Sequence, residues 1–510
     1  MLSVRTAAGS GERATGPRRA VTGHPSSRTV RDAVPTLRQG EWSGRRTGSR
    51  RRSVATEARL DRDPLPRGPR PGRPVPELDS VHVQRWRAER GELVELLALA
   101  RERLGGIAAL HLGSADAGTP PAPATVLVTD PEAVRHVLAL RPDRYVKRSH
   151  RARLLIGDGV LAATGDAWKR QRRLLQAQFT GTGMRRYEQR IERAANAAAE
   201  RWARYAATGR TVDVGREMRS FALDTIWRSL TGHPLDARTE GELNAVEDLA
   251  AALPTLPADE ADARDAVAAD VARIDAVARD AIDAARTAPA GPDGPGLLRA
   301  LTDASAERPE YTDRLIRDEL VTLLFAGHET TATTLTWLYL LLDRYPGTRE
   351  QALAVGAAGS AERRQAVQAL VHETLRLYPS AWILPRHAAE DDVLAGHAIA
   401  AGTDLLVCPY LTHRDPELWP DPERFDPRRF TAPRGRSAAP GAYLPFGMGP
   451  RACLGLQFAL RESTVLLERL LPAYTVAFRS TPAGAAYGIT VRPDGPTPVS
   501  YTPLTLPTPL

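Results

Sequence analysis

The chain has 510 residues, 42% hydrophobic and 25% charged, which is enough apolar side chain for a large core and excludes a wholly disordered protein. The formal charge of +8 invites a nucleic-acid reading, but residues 1–60 hold thirteen arginines, no lysine and four acids. That local excess of +9 leaves the remainder near −1, a neutral body without a basic face for nucleic acid. Two cysteines, Cys408 and Cys453, exclude a disulfide scaffold and fit a reducing, cytoplasmic setting.

In chain order, residues 1–75 are rich in Arg, Gly, Pro and Ser without apolar periodicity, so a disordered segment is expected, with no signal-type apolar run and no membrane anchor. Trp86–Leu104 reads as one amphipathic helix stopped by Gly105 and Gly106. Strand-like runs follow at Ile107–Leu112 and Thr125–Val128. Helices are expected over Met184–Tyr205, Val212–Thr231 and Asp259–Arg286, then, after the linker Thr287–Gly296, around Phe325–Trp337. Val321–Leu342 is long enough to span a bilayer, but His328 and Glu329 lie in its middle, where charge is expensive in lipid, and a buried core helix explains the same residues. Gln365–Tyr378 is helical, the chain is irregular and Pro-rich to Phe446, and a last helix covers Gly455–Leu471 with Pro472 after it. The tail after residue 497 is expected to be unstructured; Val499–Leu510 reads as neither helix nor strand and looks like an assembly artefact.

The strongest signal is Phe446-Gly447-Met448-Gly449-Pro450-Arg451-Ala452-Cys453-Leu454-Gly455. A thiolate needs donors, and amides opening the helix after Cys453 supply them, helped by the helix dipole. Gly447, Gly449 and Gly455 remove side chains where backbone would approach a flat macrocycle. Arg451 suits a carboxylate on its edge, and Phe446 covers the sulfur against water. An isolated cysteine would more often be buried and inert, as Cys408 is expected to be. The complete string resembles the haem-binding signature of the cytochrome P-450 family, F-G-x-G-x-R-x-C-x-G, at every fixed position.

That resemblance spans residues 76–497 and orders the remaining motifs. Ala326-Gly327-His328-Glu329-Thr330-Thr331 resembles the oxygen-activating segment: Thr330 would bond back to the Ala326 carbonyl and open the helical ladder, leaving Glu329 for proton delivery and Thr330 as a hydroxyl beside the iron. Otherwise this is a core helix with a tolerated polar step. Glu373 and Arg376 share a helix face and would ordinarily be a solvated pair. By resemblance they form, with Arg424 of Pro422-Glu423-Arg424-Phe425, a structural network supporting the haem loop. Trp168 and Arg172, four apart, and Arg386 match haem-propionate ligands, while Lys169, Arg170 and Arg173 would face outward to steer an acidic electron donor. His328-Glu329 and His372-Glu373 begin like a zinc-protease motif but lack its second histidine, Ala332 and Arg376 standing in its place.

The implied fold is mainly α, a single helical domain with a small β region. The implied cofactor is haem b with Cys453 as iron ligand, and the implied reaction is insertion of one atom of O₂ into an organic substrate. Ala326, Trp382, Ile383, Leu384 and Ile489 would line an apolar pocket. A terpenoid of bacterial secondary metabolism is preferred over fatty acids and polyketides, with electrons from a ferredoxin and its reductase. No fused reductase is expected, since no dinucleotide fingerprint occurs. Two other classes share the thiolate: an isomerase or peroxide-driven enzyme without a redox partner, against which the Glu329-Thr330 pair weighs, and a non-catalytic haem sensor.

Overall fold

The computed structural model describes residues 72–112, 124–148, 152–252, 260–431, 439–482 and 484–503, all within a unit spanning Arg67–Leu510. The expectations for residues 1–71 and 504–510 lie outside the described residues. Residues 72–75 do not belong to a disordered segment, because Arg73 bridges His397 and its amide donates to the Gly396 carbonyl at 2.9 Å.

The first expected helix is two: α1 (Ser80–Glu89), capped by the Asp79 carboxylate, and α2 (Leu93–Leu104). The break falls at Arg90 with φ 52°, and Gly91 lets the chain turn tightly there, since a Cβ would lie 2.7 Å from the Trp86 ring. β1 (Ile107–Leu110) and β2 (Thr125–Val128) pair antiparallel, followed by α3 (Pro131–Arg135), β3 (Tyr145–Val146), α4 (Arg153–Ile156) and α5 (Gly165–Gln178). α6 (Thr182–Thr208) leads into β4 (Val212–Asp213), whose Asp213 caps α7 (Val214–Thr231), so the expected helix begins two residues late. α8 (Ala237–Ala252), α9 (Glu260–Thr287) and α10 (Leu297–Glu307) precede the 32-residue α11 (Asp313–Arg344). α12 (Thr348–Ala354) and α13 (Ala361–Leu377) follow.

The stretch expected to be irregular holds four short strands, β5 (Leu384–Ala388), β6 (Asp392–Leu394), β7 (His397–Ile399) and β8 (Asp404–Val407), and then α14 (Pro409–Thr412). They are too short to show period-two patterning, and partners distant in sequence stabilise them. The main sheet is ordered β1-β2-β8-β5-β3, with β2 and β8 parallel. α15 (Leu456–Ala473) keeps Pro472 inside its last turn rather than after it. β9 (Tyr474–Phe478), β10 (Ala485–Tyr487), β11 (Val491–Pro493) and β12 (Pro498–Pro503) complete the chain. The unstructured-tail expectation therefore fails at residues 498–503: β12 pairs with β9 from Val499↔Phe478 to Pro503↔Tyr474 and with Asp213 of β4.

α11 is buried on nearly every side, packed most extensively against α7 and also against α9 and α13. An all-round apolar helix is stable in water only inside a core. Among the described residues no helix is long and apolar enough to cross a membrane.

Candidate active site

Cys453 lies in the loop that ends at α15, where its amide donates to the Phe446 carbonyl at 2.8 Å. Its thiol retains accessible surface yet lies deep in the fold, so it opens into an internal space. Burial pushes the thiol pKa up, while the Gly455 amide and the Arg172 charge pull it down. The glycines act differently from one another. Gly449, at φ 70°, is required by the protein itself, because a Cβ would lie 2.1 Å from the Leu138 carbonyl oxygen. A Cβ on Gly455 would meet nothing within 4 Å, which leaves room for a flat ligand. Phe446 is half-buried against the main core.

Beside this loop the fold collects cations. The Arg451 guanidinium stacks 4.2 Å over the Trp168 ring. Burial and the Arg386 and Arg451 charges press Lys147 down to about 7; burial and Arg451 press Arg386 to about 10; burial and Arg172 press Arg451 to about 10. Among the described residues no carboxylate pairs with Lys147, Arg172, Arg386 or Arg451. Four crowded cations without a counter-ion call for an anionic ligand. Lys147 was not singled out in sequence: the register Tyr145↔Ala388, Val146↔His387 brings it opposite Arg386, a pairing across some 240 residues with no local signal.

On α11 the run Val321–Phe325 is buried, Ala326 is exposed, and His328 and Glu329 are buried again. A buried helix that opens at one residue borders a cavity. The Thr330 hydroxyl donates to the Ala326 carbonyl at 2.8 Å, as expected, although the helix continues unbroken through both residues. Glu329 accepts from the Thr490 hydroxyl at 2.5 Å and faces a polar cavity of about 290 Å³ with Arg219, Thr333 and Arg492. The Trp382 indole donates to the Gly488 carbonyl at 2.8 Å, so Gly488 and Thr490 pin the turn carrying Ile489, which is 37% exposed. Ile383 and Leu384 are half-buried. Trp382 itself is 2% exposed, packed against Tyr487 in the core cluster that holds Leu97, Leu110 and Leu127, so it supports the turn rather than offering a wall to a ligand.

Glu373 and Arg376 form a two-pronged pair, both bonds 2.8 Å, with neither side chain exposed. Arg376 also donates to the carbonyls of His413, Pro422 and Arg424. The second cation on Glu373 is Arg429 at 3.3 Å, not Arg424, whose side chain is exposed and which contributes only its carbonyl. Two Pro-x-Arg-Phe strings stand in tandem, Pro422–Phe425 and Pro427–Phe430, and the fold uses the second.

An accessible cysteine at a helix start, an open Gly455, a cation cluster without a carboxylate partner among the described residues and one exposed step on a buried helix together fit a flat, anionic, iron-bearing macrocycle of the haem-thiolate class. The cytochrome P-450 family profile matches residues 69–484. The chain belongs to the cytochrome P-450 family and is an oxidoreductase of the monooxygenase type, a family that carries haem iron. Cyclooctatin synthase of Streptomyces melanosporofaciens is 31% identical over 364 residues, covering 67% of this chain and 78% of that protein. Cyclooctat-9-en-7-ol 5-monooxygenase of the same organism is 30% identical over 366 residues, covering 68% and 78%. The haem domain of cytochrome P450DA superposes with a TM-score of 0.72 at 26% identity, over 85% of this chain and 99% of that one. CYP175A1 of Thermus thermophilus gives 0.64 at 29%, over 84% and 100%.

Proposed function

We propose that the enzyme holds haem b on Cys453 and hydroxylates an apolar, terpenoid-like small molecule, with electrons delivered by a ferredoxin. The carrying observation is the exposed Ala326 on an otherwise buried helix, with Thr330 bonded to its carbonyl. When bound, haem supplies dioxygen activation, with a thiolate ligand favouring O–O cleavage. The Gly455 amide and Arg172 stabilise charge on the Cys453 sulfur. Trp168, Arg172, Arg386, Arg451 and Lys147 would hold the propionates. The Thr330 hydroxyl gives its hydrogen to the Ala326 carbonyl, which leaves its lone pairs free to accept a hydrogen bond on the side of the helix where Ala326 is exposed. Glu329, bonded to Thr490 and bordering the polar cavity, would move protons inward from that cavity. Ala326, Ile383, Leu384 and Ile489 offer apolar surface. The cyclic alkenol in one relative's name supports the terpenoid class. Exposed Arg170 and Arg173 on α5 support an acidic electron donor.

The test is a spectral-shift screen of cyclic terpenoid alcohols, terpenoid hydrocarbons and fatty acids against the ferric protein, followed by turnover with ferredoxin, reductase and NADPH. Binding by the terpenoids and product formation are expected. A reduced, carbon-monoxide-treated protein without the red-displaced Soret band of thiolate ligation, or a Cys453→Ser variant that keeps it, overturns the reading. Turnover with peroxide but not with ferredoxin overturns the electron route.

A further inference from the structure

Glu462 on α15 is completely buried and nine residues past Cys453. Its Oε1 accepts the Thr331 hydroxyl of α11 at 2.7 Å, and its Oε2 is buried without a partner. Among the described residues no cation is paired with it. The neighbouring Thr330 carbonyl accepts from the Ser380 hydroxyl at 2.9 Å and the Thr334 hydroxyl at 2.8 Å. The Thr330-Thr331 step is therefore held from α15, from the segment after α13 and from its own helix.

We infer that Glu462 is a positioning residue, acting as a neutral hydrogen-bonding strut that fixes the Thr330-Thr331 step against the helix that opens at the Cys453 loop. An anion there would be an uncompensated buried charge with one donor for two oxygens, whereas a protonated carboxyl carries no net charge and leaves only its own hydroxyl without an acceptor, the smaller cost. Burial pushes its pKa well above the ordinary carboxylate range, in agreement. Glu462 does not line the cavity at Glu329 and bonds to Thr331, so its effect reaches chemistry through Thr331 and the placement of the Thr330 hydroxyl.

The inference rests on Thr330 serving the proposed reaction, and its test separates the two. Infrared difference spectra of wild type against E462Q, which do not depend on turnover, are expected to lose a protonated-carboxyl carbonyl band at neutral pH. In ferredoxin-driven turnover, E462Q keeps product per NADPH within about twofold, because a neutral amide oxygen still accepts from Thr331. E462A and T331V lose about fivefold or more to peroxide while keeping the thiolate carbon monoxide band. The double variant is no worse than either single. Absence of the infrared difference, E462Q as uncoupled as E462A, or T331V coupled like wild type overturns the inference. T331V decides where E462A fails to fold. Loss of the thiolate band in wild type overturns the proposed function instead, leaving the infrared result standing.

Discussion

Leu444 donates its amide hydrogen to Nε2 of His413 across 2.9 Å. An amide can only donate, so Nε2 accepts, Nδ1 carries the hydrogen, and Nδ1 gives it to the Arg376 carbonyl at 3.2 Å. Burial, with the Arg376 charge, pushes His413 down to about 3, which keeps it neutral. The Glu373-Arg376 pair is thus linked through one imidazole to the backbone two residues before Phe446. His413→Phe preserves a ring but leaves the Leu444 amide unpaired, and is expected to cost about 1–3 kcal/mol. Haem content per polypeptide should fall with it. Unchanged unfolding temperature and haem content would show that the link is dispensable.

The tandem Pro-x-Arg-Phe strings give a paired prediction. Arg429→Ala removes the second cation from a fully buried carboxylate and is expected to destabilise by about 2–4 kcal/mol. Arg424→Ala changes an exposed side chain whose carbonyl alone is used, and is expected within about 0.5 kcal/mol of wild type. Urea unfolding of both variants checks the assignment; the reverse order would restore Arg424.

The pair Glu373-Arg376, the Cys453 string and the Thr330 back-bond were legible because each is local, with spacing and residue type fixed within one turn or loop. The choice between Arg424 and Arg429 was not, since both strings satisfy the same pattern and only packing against Glu373 separates them. Lys147, His413 and Glu462 were illegible for a related reason: β-sheet register, a buried carbonyl and a facing helix make them what they are. Trp382 was expected to line the pocket, but its ring is buried and its indole hydrogen is taken by the Gly488 carbonyl, a partner some hundred residues away in sequence. The helix count near the N-terminus failed at Arg90-Gly91, where apolar periodicity runs across a left-handed residue.

Glu319 on α11 is fully buried, accepts from the Val160 amide at 3.0 Å through Oε2, and leaves Oε1 unpartnered. Burial pushes its carboxyl up to about 8, with the Asp318 charge adding to the rise. A raised folded pKa means stability that is complete below about 4.5 and lost as pH climbs toward 8. Glu319→Gln keeps the acceptor for Val160 and has no proton to lose. It is expected to match wild type near pH 4.5 and to exceed it by a few kcal/mol at pH 8. Parallel pH profiles of unfolding free energy for the two proteins would refute a buried neutral carboxyl.

Lys147 tests the cation cluster most directly, because its charge is already strained. It faces Arg386 of β5 and Arg451 of the cysteine loop, with burial as the larger cause of its fall to about 7. Anionic carboxylates docking among these groups would raise its pKa, so binding takes up a proton wherever the free protein has lost one. Affinity for haem is then complete below about 7 and falls as pH rises through that value. Lys147→Met removes the titrating charge while keeping the aliphatic stem. Its haem affinity should be weaker than wild type at pH 6 by about tenfold, the cost of one charged hydrogen bond, and nearly flat from pH 6 to 9. Haem titration into apoprotein across that range measures both. A wild-type affinity independent of pH, or a variant with the same slope as wild type, would place the cofactor's carboxylates away from Lys147 and leave Arg172, Arg386 and Arg451 to hold them.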